Sequence, residues 1–167
     1  ANSDYDKGLS RFQLTHDVHL KLLSLKISDI NIHSIYLFDF LDDLVVTDQG
    51  TYTDMRDFPE EEFYTVIKSS TDTARLIQRL NFRSMPQGSE TNEQVISIVY
   101  PFIHIENYGA VVLNVKINAF KSIIDRLNDD LKGNAYLTDM TGNILIGDRS
   151  DKGIEHLAAL PYLYGLS

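Results

Sequence analysis

The chain has 167 residues, 43% apolar and 23% charged, with a net charge of −9 and no cysteine. That composition belongs to one ordinary globular domain, or one domain plus part of another, and excludes a disordered chain. The acidic balance repels phosphate backbones and speaks against direct nucleic-acid binding by this segment; the lack of Cys excludes disulfides, thiolate metal sites and a Cys nucleophile.

Residues 1–31 predict a long helix. Leu9, Phe12, His16, Leu20, Leu23, Ile27 and Ile30 recur at three- and four-residue spacing, with Arg11, Asp17 and Lys21 on the polar face. Ser3 or Asp4 supplies the cap. A helix with one apolar stripe must lie on a sheet or on a second copy of itself. Ser34-Ile35-Tyr36-Leu37-Phe38-Asp39 and Leu44-Val45-Val46-Thr47 then form a hairpin around Asp42-Asp43. Residues 51–58 read as a loop. Pro59 opens a helix in which Glu60, Glu61 and Glu62 suit the positive end of the dipole and Phe63, Val66 and Ile67 form the apolar face. A second short helix is expected at 71–78, capped by Ser70 or Thr71, and a short strand at 80–85, before the Pro86-Gln87-Gly88 turn. Residues 94–105 and 109–118 are strands joined at Glu106-Asn107. Residues 119–131 are helical, with Phe120, Ile123, Ile124 and Leu127 on one face, and Gly133-Asn134 stops them. A second hairpin follows at 135–138 and 144–146, turning over 139–143; residues 153–167 read as loop. No run reaches the ~18 apolar residues of a spanning helix, so the membrane anchors of a membrane-bound parent are expected outside this segment.

The order of long helix, hairpin, helices and antiparallel strands resembles a PAS-like Cache sensor domain. Ser34–Asp39 looks like that family's first strand. Gln94-Val95-Ile96-Ser97-Ile98-Val99-Tyr100-Pro101-Phe102 resembles its central strand, and Gly109-Ala110-Val111-Val112-Leu113-Asn114-Val115-Lys116-Ile117 its last. Ala135-Tyr136-Leu137-Thr138-Asp139-Met140-Thr141-Gly142-Asn143-Ile144-Leu145 resembles the hairpin that opens the membrane-proximal lobe of a double Cache. The resemblance covers about residues 5–147 through loose patterns. It implies an α+β fold, a long N-terminal helix packed on a five-stranded antiparallel PAS-like sheet with inserted helices. It divides the chain into a stalk helix (1–31), a sensor lobe (32–132) and either the start of a second lobe or an extra hairpin of the same domain (133–167). The closest setting is the ectodomain of Gram-positive sensor histidine kinases, as in two-component systems, or of membrane-anchored transcription regulators with an arabinose-regulator-type DNA-binding domain. The implied location is the extracellular side of the bacterial cell membrane.

In that family the pocket lies between the sheet and the inserted loop and helix. Asp54-Met55-Arg56-Asp57-Phe58 resembles the element with which amino-acid-binding members hold a ligand carboxylate through a guanidinium fork, which makes Arg56 the leading candidate. The alternative is a surface Arg paired with Asp54 or Asp57. Those members carry an Asp near the end of the last strand, where this chain has Lys116. A carboxylate, another anion or a sugar therefore suits Arg56 and Lys116 better than an α-amino acid. Tyr52, Tyr64, Tyr100 and Arg83 are further candidates, since a pocket aromatic both stacks on and hydrogen-bonds a ligand; the alternative for each Tyr is half-buried packing. His16 and His19 lack a third ligand nearby in sequence, so no metal is expected, and no cofactor motif is present. Nucleophile-elbow, P-loop, dinucleotide and zinc-protease signatures are absent, so the chain is not expected to be an enzyme. Two readings follow. A ligand-sensing ectodomain, with dimerisation through the first helix, is favoured by a well-formed cavity lined by Arg56 and the Tyr residues. A protein-interaction ectodomain of the same fold would show a filled cavity and an exposed apolar patch.

Overall fold

The computed structural model describes residues 2–69, 74–79, 94–104, 107–139 and 142–147. Helix α1 runs Asn2–Ser28, strand β1 Ile32–Asp39, β2 Leu44–Thr47 and β3 Thr51–Tyr52. A single 3-10 turn, Met55–Asp57, leads to α2 at Glu61–Lys68. Strands β4 (Arg75–Arg79), β5 (Val95–His104) and β6 (Asn107–Lys116) follow, then α3 (Ile117–Leu131) and a small hairpin of β7 (Leu137–Thr138) and β8 (Ile144–Ile146).

The main sheet is antiparallel in the order β3-β2-β1-β6-β5-β4. The fold is α+β with α1 at its N-terminal end, consistent with the PAS-like expectation, but among the described residues the sheet has six strands where five were expected. The added one, β3, pairs only Thr51 and Tyr52 with β2; two residues carry no readable alternation. The helix expected at 71–78 is also corrected. Its second half, from Arg75, is strand β4, because its backbone groups pair along β5 from Arg75↔Val99 to Arg79↔Val95. Cross-strand pairing outweighs the weak helical preference of so short a segment. The strand expected at 80–85 lies outside the described residues, as does 153–167.

Strand period 2 sorts the side chains onto two faces. One face carries Tyr36, Phe38, Val45, Val99, Ala110 and Val112, and is covered by Phe58, Tyr64 and Ile67 from the 3-10 turn and α2. Phe38 is fully buried, with the rings of Phe40, Phe58, Phe63 and Tyr64 around it at centroid separations of 5.2–6.4 Å. The opposite face is shared. Val18 and Leu22 of α1 pack on Ile35, Leu44 and Val46, while Ile117 and Ile124 of α3 and Ile146 of β8 pack on Ile96.

The apolar stripe read from the sequence of α1 is not the one that meets the sheet. The sheet-facing residues are Val18 and Leu22, flanked by His19, whose Nδ1 lies 2.8 Å from the Thr47 carbonyl oxygen, and Lys26, whose Nζ lies 2.9 Å from Asp48 Oδ2. Phe12, Leu20 and Ile27 of the stripe point to solvent. The helix carries two apolar stripes, not one.

Candidate ligand site

The cover over the first face begins where Asp54 caps the 3-10 turn through the Arg56 N–H (3.0 Å). Helix α2 is anchored at its far side by the β1–β2 turn. Tyr64 Oη donates to Asp43 Oδ1 at 2.8 Å, and Lys68 Nζ reaches the same oxygen at 2.5 Å. Those two donors hold the Asp43 carboxyl below its ordinary pKa, Lys68 contributing most. Burial, with the Asp43 charge, pushes the Tyr64 phenol upward.

Beneath the cover the sheet turns polar. Ser97 Oγ donates to Asn114 Oδ1 at 2.6 Å, and Asn114 Nδ2 donates to Ser34 Oγ at 2.9 Å, so three buried side chains bond in series across β5, β6 and β1. Glu60, at the N-cap position of α2, pairs with Arg79 of β4. The Arg79 guanidinium also stacks on the Phe63 ring, 3.8 Å from its centroid. Burial raises the Glu60 pKa, and the Arg79 charge only partly offsets it. Burial and the Glu60 charge raise the Tyr36 phenol. Glu60 Oε1 is the oxygen bound by Arg79. Oε2 is buried without a hydrogen bond of normal geometry among the described residues, although the Tyr36 hydroxyl is close enough to interact with the carboxylate. A cavity of about 10 Å³ remains here, bounded among others by His33, Ser34, Tyr36, Asp48, Tyr52 and Glu60, which is room for about one water.

The candidates read from the sequence are dispersed. Tyr52 is half-buried in the cavity wall, its ring 5.3 Å from Phe58. Tyr64 is buried, but its hydroxyl is engaged by Asp43. Tyr100 is 65% exposed and, by its register opposite Val111, lies on the α1 side of the sheet. Lys116 occupies the cover-side row two residues beyond Asn114, half-buried at the strand end. Arg83 lies outside the described residues. The Arg56 side chain is 83% exposed and lies against Asp54, with Nη2 2.5 Å from Oδ2. It holds the Asp54 carboxyl at about 2. The surface pairing named as the alternative is therefore the arrangement seen, because the tight 3-10 turn folds the guanidinium back onto its own cap.

Ser34, Glu60, Arg79, Ser97 and Asn114 were not picked out in sequence. A signal existed for two of them: Ser97 and Asn114 each interrupt an otherwise aliphatic strand run at a core-facing position, where an exposed polar residue is not expected. Glu60 was masked by its neighbours Glu61 and Glu62. Among the described residues no group of His, Cys, Asp or Glu side chains is arranged to hold a metal ion, and no helix is long and apolar enough to cross a membrane.

No protein-family model matches the chain, and no curated protein sequence does. Among solved structures it is similar to the ligand-binding domain of the Pseudomonas aeruginosa amino-acid chemoreceptor PctC in complex with GABA, at 22% identity and a TM-score of 0.40. That match covers 70% of this chain and 50% of the other, so the chain spans about half the length of the structure it matches.

Proposed function

We propose that this chain is the ligand-sensing part of a bacterial transmembrane signalling receptor, a non-catalytic Cache-type domain of PAS-like fold on the extracellular side of the membrane. The observation that supports the reading best is the polar patch under the cover. Ser34, Ser97, Asn114, Glu60 and Arg79 converge on a face otherwise built of aromatic and aliphatic side chains. Burying such groups costs stability relative to an apolar core of the same volume. An apolar hollow with a few convergent polar groups is the usual composition of a small-molecule site. The ligand class that suits it is a small polar solute with a hydrogen-bond donor for Glu60 Oε2. A cavity of about 10 Å³ admits such a ligand only when the cover, residues 53–60, moves off the sheet. Closed and open covers are then two states of different ligand affinity, which is the condition for a ligand to send a signal.

The test is a thermal-shift screen of the wild type, Arg56→Ala and Glu60→Gln against carboxylates, amino acids, sugars and amines. A ligand that binds only the folded state raises the melting temperature with concentration. The expected result is a hit kept by Arg56→Ala and lost by Glu60→Gln, both variants unfolding cooperatively. A hit with the reverse pattern overturns the site, and the absence of any hit overturns the small-ligand reading.

A second reading is a protein-interaction ectodomain of the same fold. The near-filled cavity and the large apolar side chains exposed along α1 favour it. It predicts no small-molecule hit.

A further inference from the structure

We infer that the cavity between the cover and the sheet takes an organic cation, a primary ammonium group held between Asp48 and Glu60, which displaces Lys26 of α1 from Asp48. The inference rests on the small-ligand reading above, and names its ligand class and its route to α1. The first support is a pair of carboxylates. The Asp48 side chain is fully buried and that of Glu60 is 6% exposed, and both residues line the one cavity of about 10 Å³. Each has one oxygen committed to the fold. Asp48 Oδ1 accepts the Ile35 N–H at 2.9 Å, and Glu60 Oε1 is bound by Arg79. The other oxygens, Asp48 Oδ2 and Glu60 Oε2, are buried without a hydrogen bond of normal geometry among the described residues. Two such oxygens around one hollow are costly unless a donor reaches them.

The wall selects the donor. Tyr36, Tyr52 and Phe58 line the cavity beside the carboxylates. Phe58 stands edge-on to Tyr36, with ring centroids 5.6 Å apart, and tilted against Tyr52 at 5.3 Å. Aromatic faces attract cations, and rings set beside carboxylates suit an ammonium group. Burial, and after it the Glu60 charge, raises the Tyr36 phenol; burial and the Asp48 charge do the same to Tyr52. Both phenols therefore stay neutral at pH 7. Among the described residues no Lys or Arg lines the cavity, and His33 is the one wall residue able to carry a positive charge. An anionic ligand would meet two like charges there. Room for about one water suits a compact ammonium better than a planar guanidinium. A hard divalent metal needs about six oxygen ligands, and no group of described side chains is arranged to hold one.

Lys26 is the partner that the ligand replaces. Its Nζ lies 2.9 Å from Asp48 Oδ2, the oxygen that the cavity offers, and its side chain is 31% exposed, against 15% for Arg79. It sits in the last turn of α1 and reaches Asp48 from the helix side, so its long stem can carry the charge into water. An ammonium arriving at Oδ2 exchanges one cation for another, and Asp48 is never left stranded. The exchange undoes one polar tie between α1 and the end of β2, and leaves His19 on the Thr47 carbonyl. Filling the cavity thus changes the hold on α1, which is a difference in contacts between two states of the kind a signal requires.

The test uses three probes of one size and different charge: butylammonium, butanol and butyrate. They are titrated by calorimetry at pH 7 into the wild type, Asp48→Asn, Lys26→Met and the double variant. Asp48→Asn keeps an acceptor oxygen for the Ile35 N–H and removes the charge. The wild type should bind butylammonium and neither of the other two. Affinity should fall at least ~30-fold in Asp48→Asn, the effect of truncating one side of a buried charge pair. It should rise about tenfold in Lys26→Met, where the competing cation is gone. The double variant strands no charge and covers a folding loss in either single one; it should bind the amine as weakly as Asp48→Asn. Butanol or butyrate binding as tightly as butylammonium leaves the ligand site standing and overturns the cation. Butylammonium binding that the double variant leaves unchanged overturns the Asp48 anchor, and a Lys26→Met protein that binds no tighter than wild type overturns the exchange. Silence of amines alone in the wider screen overturns this inference only, whereas silence of every class overturns the ligand reading with it.

Discussion

Arg79 grips Glu60 while its guanidinium lies 3.8 Å above the ring of Phe63, so one side chain of β4 holds the cover by charge at Glu60 and by stacking at the next turn of α2. Both partners of the pair are largely buried, with side-chain exposures of 15% and 6%. The cover therefore closes on an ionic latch, and breaking one half leaves the other charge stranded.

Arg79→Met keeps the stem over Phe63 and removes the charge. A loss of about 3 kcal/mol is expected at pH 7, because an uncompensated buried carboxylate is left behind. The pH dependence has a definite sign. Glu60 already titrates above its unfolded value in the native protein, and without Arg79 it rises further. Its contribution to stability is fully present below about pH 4.5, the unfolded value, and is lost as pH rises through the folded pKa. The deficit of Arg79→Met should thus be smallest near pH 4 and grow toward pH 7 in urea unfolding. A deficit that shrinks with rising pH would contradict the assignment.

Asp43 gives the opposite slope. Tyr64 and Lys68 hold its pKa down, so its contribution is present above the unfolded value and lost as pH falls through the folded one. Asp43→Asn is the clean probe. The residue has φ 47°, a left-handed conformation that Asn tolerates about as well as Asp. A loss of ~0.5–1 kcal/mol is expected at pH 7, discounted for exposure, fading below about pH 3.8. The measurement is the same unfolding series.

Asn114→Leu removes the middle of the Ser97–Asn114–Ser34 chain. The Ser97 hydroxyl loses its partner and the Ser34 hydroxyl keeps only the His33 Nδ1 at 3.4 Å, and a cost of about 2–3 kcal/mol is expected. Ser97→Ala, which removes a donor and leaves the Asn114 amide bonded to Ser34, should cost about half as much. Equal losses in guanidinium unfolding would show that the serial bonding is not what stabilises this row.

Gly109 lies where β6 passes Phe38 with no space between. A Cβ there would collide with the Phe38 carbonyl oxygen and the Phe102 ring. Gly109→Ala should destabilise by ~2 kcal/mol or more, since backbone must shift in a packed sheet. Gly50→Ala is the control: nothing lies within 4 Å of its Cβ position, so its unfolding midpoint should move little or upward.

Much of the sheet was legible in the sequence. The β-branched runs around Ile96 and Val112 can form little but central strands, the stripe of α3 was readable from its period, and its stop from Gly133-Asn134. The second half of the span read as a helix at 71–78 was not, because Arg75-Leu76-Ile77-Gln78-Arg79 suits either period and only pairing with β5 decides between them.

The site was less legible, for a related reason. Arg56 looked like a ligand anchor from its neighbours, yet the 3-10 turn holds it against Asp54 on the surface. Arg79 looked like an ordinary polar residue, yet it is the buried latch. The sequence by itself determined local period and turn chemistry, which depend on neighbours a few residues away: strands where β-branched residues run on, a helix where apolar residues recur at three and four. Only the tertiary structure decided which stripe of α1 met the sheet. His19 and Lys26, polar in sequence, face inward because Thr47 and Asp48 lie opposite them. A polar side chain is buried or exposed according to partners far away in the chain, and their approach is a property of the packed fold.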